Sequence, residues 1–250
     1  MTAGTPADAL AEALRADSAR PLVTFYDDAT GERVELSGAT FANWVAKTAN
    51  LLVDGLGLGP GGSAALLLPA HWQTAALAVG CWSAGLQVTI GAGAGDDAAR
   101  TTALAASDVV FAGPDELEVA RRSGAEVLGL SLRPLGGRLP DVPAGVTDYA
   151  AEVPAYGDAF SASEPAGAAE MAAAHAAAER WRVQPGERIL SVLPYTDPDG
   201  LAAGLLVPLL CGGGVVLCRN ADPAALPRRA DSEQVTATAG VTLPGPRRLV

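Results

Sequence analysis

Few residues in this 250-residue chain are placed to do chemistry, and the best placed are two carboxylates. Asp197 and Asp199 lie in the run Leu193-Pro194-Tyr195-Thr196-Asp197-Pro198-Asp199-Gly200-Leu201. This run joins an apolar stretch of strand length, residues 189–193, to one long enough for a helix, residues 200–211. Glycines at 212–214 end the helix, and a second short apolar run follows at 215–218. Two short buried strands joined by a helix form a βαβ unit and imply a parallel sheet. The join then sits at the carboxyl end of a strand, where open α/β sheets bind ligands. One reading makes Asp197 or Asp199 the cap of the following helix. The other makes Tyr195, Thr196, Asp197 and Asp199 a candidate pocket, in which the carboxylates favour a cationic or polyhydroxylated ligand and resist an anion.

Other chemistries lack the residues they need. The two histidines are His71, at a helix start, and His175, in an alanine-rich helix where it shares a face with Met171 and Ala178. That placement suits a half-buried structural role. No GxSxG nucleophile elbow and no HExxH or other metal-ligand spacing occurs, so neither a catalytic nor a metal residue is assigned. Sixteen arginines stand beside a single lysine, Lys47, which lies off the apolar face of its helix and is expected to be solvated.

Two glycine-rich loops invite a phosphate-binding reading. Residues 55–62 follow a helix and precede a strand, the reverse of what anion binding at a helix N-terminus requires. Residues 91–95 follow a strand and precede a helix, but Asp96 stands where the dinucleotide fingerprint needs glycine. At about 4 Å and an effective dielectric near 20, each like-charge contact costs roughly 4 kcal/mol. Asp96 and Asp97 fit better as helix cap and first-turn residues.

The totals narrow the class further. Hydrophobic residues make up 49% of the chain, enough for a sizeable core in one or two lobes. The net charge of −11 disfavours nucleic acid and anionic membrane as partners. Three irregularly spaced cysteines, Cys81, Cys211 and Cys218, suit small core residues in a reducing compartment. With no signal core and no apolar run of about 18 residues, the expected location is cytoplasmic.

Local patterns supply the supporting elements. Residues 6–17 have helical spacing, and 22–26 with 33–36 read as a β-hairpin. Ser37 caps a helix in which Phe41, Val45, Thr48 and Leu52 share one face. Strands are expected at 63–68, 86–90, 109–112 and 126–130, alternating with helices at 72–84, 96–106 and 115–123. Residues 164–181 form an alanine-rich helix, 223–229 a short helix or loop, and 234–241 a last strand before an irregular tail. The fold class is therefore α/β, with mostly parallel sheets flanked by helices. Residues 133–154 are rich in Pro and Gly and non-periodic, which suggests a first lobe over 1–132, a connector, and a second lobe over 155–250.

Three stretches together resemble the N-terminal half of the AMP-forming adenylating enzymes (acyl-CoA synthetases, luciferases and peptide-synthetase adenylation domains). Residues 41–62 followed by Ala64-Ala65-Leu66-Leu67-Leu68-Pro69 are similar to their opening, and 75–90 to their next helix and strand. Gln184-Pro185-Gly186-Glu187-Arg188-Ile189-Leu190, leading into the βαβ unit, matches their Pro-Gly-acid turn, strand and Leu-Pro join. Residues 234–243 resemble the strand after that.

The resemblance implies a phosphate-cradling loop before the alanine-rich helix, and here the chain departs from it. Phe160-Ser161-Ala162-Ser163-Glu164-Pro165-Ala166-Gly167 keeps small residues at Ser161, Ser163 and Gly167. It lacks the family's lysine and introduces Glu164, so the countercharge for phosphate is gone. Asp197 stands where the family carries a His or aromatic pocket residue. The aromatic-Thr-Glu motif, the ribose-binding Asp and the second catalytic lysine belong to the half that has no counterpart. Arg180 and Arg182 lie at the far end of their helix. The chain is thus expected to be a short, non-catalytic relative with a binding, regulatory or interaction role, the alternative being a weakly active or altered acyl- or AMP-binding enzyme. No cofactor is expected, residual ATP or AMP binding being the alternative. A protein partner or a second copy is expected to cover the sheet surface that the missing half leaves.

Overall fold

The computed structural model describes residues 3–91 and 96–250. In chain order its strands are β1 (Pro21–Asp27), β2 (Glu32–Ser37), β3 (Ser63–Leu67), β4 (Gln87–Ile90), β5 (Val109–Ala112), β6 (Glu126–Gly129), β7 (Thr147–Asp148), β8 (Arg188–Ser191), β9 (Gly214–Arg219), β10 (Ala237–Ala239) and β11 (Arg247–Arg248). They make two sheets in two compact units, neither continuous in sequence. One unit comprises Met1–Ala42, Ala70–Ala75 and Gly167–Val250, the other Asn43–Pro69 and Ala76–Ala166.

This division differs from the expected lobes over 1–132 and 155–250. The N-terminal hairpin pairs along β9, with Phe25 opposite Leu217, and so joins the C-terminal strands. The stretch 133–154 lies within the five-stranded unit, where Thr147 and Asp148 extend its sheet. Asp148 accepts from the Leu139 amide (3.3 Å) and caps the turn Tyr149–Glu152 through Ala150. Proline and glycine here mark turns that close a sheet edge.

The six-stranded sheet has the order β11-β10-β8-β9-β1-β2, parallel throughout except for the β1–β2 hairpin. Its inner strands are apolar on both faces because helices cover both sides. Leu226 and Ala230 of the helix Leu226–Ser232 pack with Leu190, Val216 and Cys218. The helical segment 198–210 packs on β8 and β9, and the helices Pro6–Asp17 and Ala168–Arg180 pack on that segment. Thr5 and Asp8 form a capping box at the start of the first of these. The tail, expected to be irregular, adds Arg247 and Arg248 as a short edge strand beside β10.

The five-stranded sheet has the order β4-β3-β5-β6-β7 and is wholly parallel. Ala65, Leu67, Val110, Ala112 and Val127 face Leu104, Leu117 and Ala120 on one side. Elsewhere in the unit Thr48 shares its hydroxyl with Tyr149 (2.8 Å), whose ring meets Phe111 edge-on. A Cβ at Gly80 would come within 2.7 Å of Thr48, so only glycine allows that approach. Val45, Thr48 and Leu52 are buried, as their spacing predicts. Asp96 caps the helix Asp97–Leu104 through the Ala99 amide at 2.9 Å.

Candidate functional site

The βαβ unit is present, and its join turns Tyr195 inward while leaving Pro194, Thr196 and Asp197 exposed. β8 ends at Ser191, and the following helix begins at Pro198, capped by Asp197, whose Oδ1 accepts from the Asp199 amide (2.9 Å). Asp199 pairs with Arg180 at 2.5 Å, so this arginine at the end of its helix is engaged by the join. Tyr195 turns inward and is 3% exposed, its hydroxyl donating to the Gly204 carbonyl at 3.0 Å. Burial pushes the Tyr195 phenol pKa up, so it stays neutral. Thr196 and Asp197 face outward as exposed residues. The four candidate pocket residues therefore do not converge.

Two glycines and one proline explain the shape of the join. A Cβ at Gly200 would sit 2.1 Å from the Pro194 carbonyl, and one at Gly204 would meet the Tyr195 ring at 2.8 Å. Pro208 has no N–H for the Gly204 carbonyl four residues earlier. The helix accommodates it with a π turn over Ala202–Leu206, where the Val207 amide reaches back to Ala202. That frees the Gly204 oxygen for Tyr195.

Chain order reverses between β8 and β10, which makes the crevice at their carboxyl ends the expected ligand site. Leu193 and Val192, both half-buried, lie there against Gly240. A Cβ on Gly240, just past β10, would come within 2.7 Å of Leu193 and 2.9 Å of Val192. Sequence reasoning missed this contact, and its one signal was a glycine directly after a strand. The equivalent reversal in the five-stranded sheet lies between β3 and β5. There Leu132 and Leu68 approach Gly113, with Leu132 at φ 53°.

The loop that resembles a phosphate cradle is open to solvent. Ser161, Ser163 and Glu164 are exposed, and Gly167 adopts φ 89° just before the helix Ala168–Arg180, four residues later than the expected start at 164. The loop is anchored in the five-stranded unit by the Ala166 amide on the Trp82 carbonyl (2.8 Å). Upstream, Asn50 donates to the Gly157 and Ala159 carbonyls, each at 3.0 Å. Lys47, expected to be solvated, instead donates to the Tyr156 carbonyl at 2.6 Å and pairs with Asp158 at 2.9 Å. Its position off the apolar face is correct, but the chain folds back over that face's flank and meets it.

The remaining candidates are structural. His175 bonds the Ala3 carbonyl at 3.0 Å. His71 Nδ1 accepts from the Gln73 amide at 3.1 Å. Cys81, Cys211 and Cys218 are buried free thiols. The glycine run 91–95 lies, apart from Gly91, outside the described residues. No group of three His, Cys, Asp or Glu side chains suited to a metal occurs among the described residues, nor is any helix there long and apolar enough to cross a membrane.

An open cleft of about 440 Å³ at the amino ends of β1 and β8 is lined by Arg20, Glu35, Arg188 and Glu233 among others. Arg20 is spent on the Gly212 and Gly186 carbonyls (2.6 and 2.9 Å), and Arg188 on Thr24 and Glu233 (2.8 and 3.0 Å). Burial raises the Glu233 pKa, but hydrogen bonds from Tyr26, Arg33 and Arg188 outweigh it and hold the carboxyl below its ordinary value. These groups satisfy one another and together brace the sheet.

No family model matches the chain. A Mycobacterium tuberculosis protein named "TIGR03089 family protein" is 42% identical over 233 residues, which is 89% of this chain and 93% of that protein. The chain belongs to the TIGR03089 family. Among solved structures, an acyl-CoA synthetase from Brucella canis matches 93% of this chain with a TM-score of 0.74 and 18% identity. Apo MatB from Rhodopseudomonas palustris matches 96% with a TM-score of 0.73 and 17% identity. The chain spans 47% and 49% of those two chains, about half of each. At such identities the likeness is one of fold. The chain thus has the α/β fold of the corresponding part of an acyl-CoA synthetase, as the sequence resemblance implied.

Proposed function

We propose that this chain is a non-catalytic relative of the adenylate-forming enzymes, acting by binding or interaction. One observation carries the reading. The loop 160–167 has no lysine, exposes Glu164, and the chain's single lysine, Lys47, is committed to the Tyr156 carbonyl and Asp158. Adenylation sets a carboxylate against a polyanionic nucleotide, and electrostatic stabilisation supplies most of the rate for such steps. An anionic side chain in a loop that carries no lysine opposes that chemistry. The buried Tyr195, held on the Gly204 carbonyl, supports the same reading, since it offers no side chain to a ligand at the join.

ATP–pyrophosphate exchange over a panel of carboxylic acids is the direct test. Rates equal to the buffer blank are expected, and turnover above it would overturn the reading. Residual nucleotide binding is the second reading, favoured by the exposed Ser161 and Ser163 in the loop that leads into the helix Ala168–Arg180. A rise in melting temperature with millimolar AMP or ATP would support it through mass action. The partners fitting a non-catalytic role are proteins, a second copy of this chain included. Light scattering at several concentrations separates self-association from a monomer.

A further inference from the structure

We propose that His71 is a proton-sensitive cap, holding the first turn of the helix Trp72–Ser83 near neutral pH and releasing it on acidification. Serine, threonine, aspartate or asparagine usually fills such a cap position, and none of these titrates near pH 6 to 7. Here the acceptor for the Gln73 amide is an imidazole nitrogen, Nδ1, at 3.1 Å, in a side chain that is 1% exposed. Because Nδ1 accepts, the ring's single proton is on Nε2. That nitrogen points at Glu32 Oε2 from 3.9 Å, beyond hydrogen-bond reach, and both His71 Nε2 and Glu32 Oε1 are buried with no hydrogen-bond partner among the described residues.

A second proton has one place to go. It must enter on Nδ1, the atom that caps the helix, and there it would set a donor against the Gln73 N–H. Protonation and capping are therefore mutually exclusive. The surroundings reinforce this. Burial pushes the His71 pKa down, against Glu32 of β2 and Asp27 of β1, which favour the cation, and with Arg219 of β9, which opposes it. Asp27 is itself engaged by Arg219 (3.5 Å) and by the Asn220 amide group (2.8 Å). The Phe25 and Trp72 rings, with centroids at 4.3 and 5.6 Å, close the remaining sides.

The sign follows from linkage. The capped state has a depressed histidine pKa, so the stability it confers is complete above the open state's pKa of about 6.5 and is lost as pH falls below it. Opening should grow about tenfold per pH unit in that window.

Amide exchange at Gln73 and Thr74, followed by NMR and corrected for intrinsic rates, tests this. Between pH 7.5 and 5.5 we expect about tenfold more opening in the wild type. In His71→Asn, whose amide oxygen caps at any pH, we expect no change. Equal responses in the two proteins, or a flat wild-type response, would overturn the proposal. Glu32→Gln should keep the response; its loss would move the titration to Glu32 and overturn the assignment to His71. Should His71→Asn fail to fold, ring NMR of the wild type decides, with His175 as internal comparison. His71 is expected to stay unprotonated at pH 5.5 while the Gln73 amide is protected. A protonated His71 with that amide still protected would refute the exclusion.

Discussion

The Tyr195 hydroxyl donates to the Gly204 carbonyl at 3.0 Å, the oxygen that Pro208, four residues on, has no N–H to claim. The pair locks the join to its own helix and keeps the phenol out of any pocket. Tyr195→Phe leaves a buried carbonyl short of a donor and should cost about 1–2 kcal/mol. The urea midpoint should fall with an unchanged slope. In a Pro208→Ala background the returned N–H should reduce that cost. An identical cost in both backgrounds would show that the two donors do not compete.

Lys47 ties residues 154–158 to the helix Gly38–Asn50. Asp158 is 59% exposed on its side chain, so the ion pair itself contributes little after screening, while the shorter carbonyl contact contributes more. Lys47→Met should therefore destabilise by about 1 kcal/mol. Asp158→Asn should cost less, and limited proteolysis within 154–167 should speed up in the lysine variant only. A larger effect from Asp158→Asn would invert this ranking.

Asp28 is expected to contribute to acid sensitivity in the six-stranded unit. Hydrogen bonds from Arg229, offset in part by burial, hold its carboxyl below the usual range, with one Arg229 contact at 2.6 Å. A depressed carboxylate stabilises above its unfolded pKa of about 3.9 and loses that contribution as pH falls through the folded value. Thermal melts should show Asp28→Asn less stable than wild type at pH 6. The gap should narrow below pH 4. A gap that does not change between pH 6 and pH 3 would mean that Asp28 is not the linked group.

The thiols should be silent in the native state. Cys81, Cys211 and Cys218 are 0%, 6% and 4% exposed, and burial raises their pKa values, to about 11 for Cys218. Since the thiolate is the reactive form, a chromogenic disulfide should label none at pH 8 and all three in denaturant. Rapid native labelling would contradict the packing around them.

Gly80→Ala probes the helix crossing at Thr48. A methyl group 2.7 Å from Thr48 Cβ must push the two helices apart, which should cost about 1–3 kcal/mol. A neutral substitution would show that the crossing is slack.

Much of the local structure could be read in advance. The hairpin 21–37, the caps at Ser37 and Asp96, the face of Val45, Thr48 and Leu52, and the βαβ unit of β8 and β9 all follow from spacing between near neighbours. So did the likeness to adenylate-forming enzymes, which rests on the order of those elements. These features depend on hydrogen bonds and apolar periodicity within about a dozen residues, and the sequence displays both directly.

Tertiary structure decided the rest. Nothing in the residues of β1 says that it will pair with β9, some 190 positions later, and that pairing is what divides the chain differently from 1–132 and 155–250. Lys47 lies off an apolar face, yet a distant segment brings the Tyr156 carbonyl to it. Leu193 looks ligand-facing until Gly240 is found beneath it. The residue types by themselves determined the fold class, the scarcity of ammonium groups and the acidic loop. Whether an individual side chain meets solvent, a partner atom or a neighbouring strand depends on contacts between segments far apart in sequence, which local periodicity does not encode.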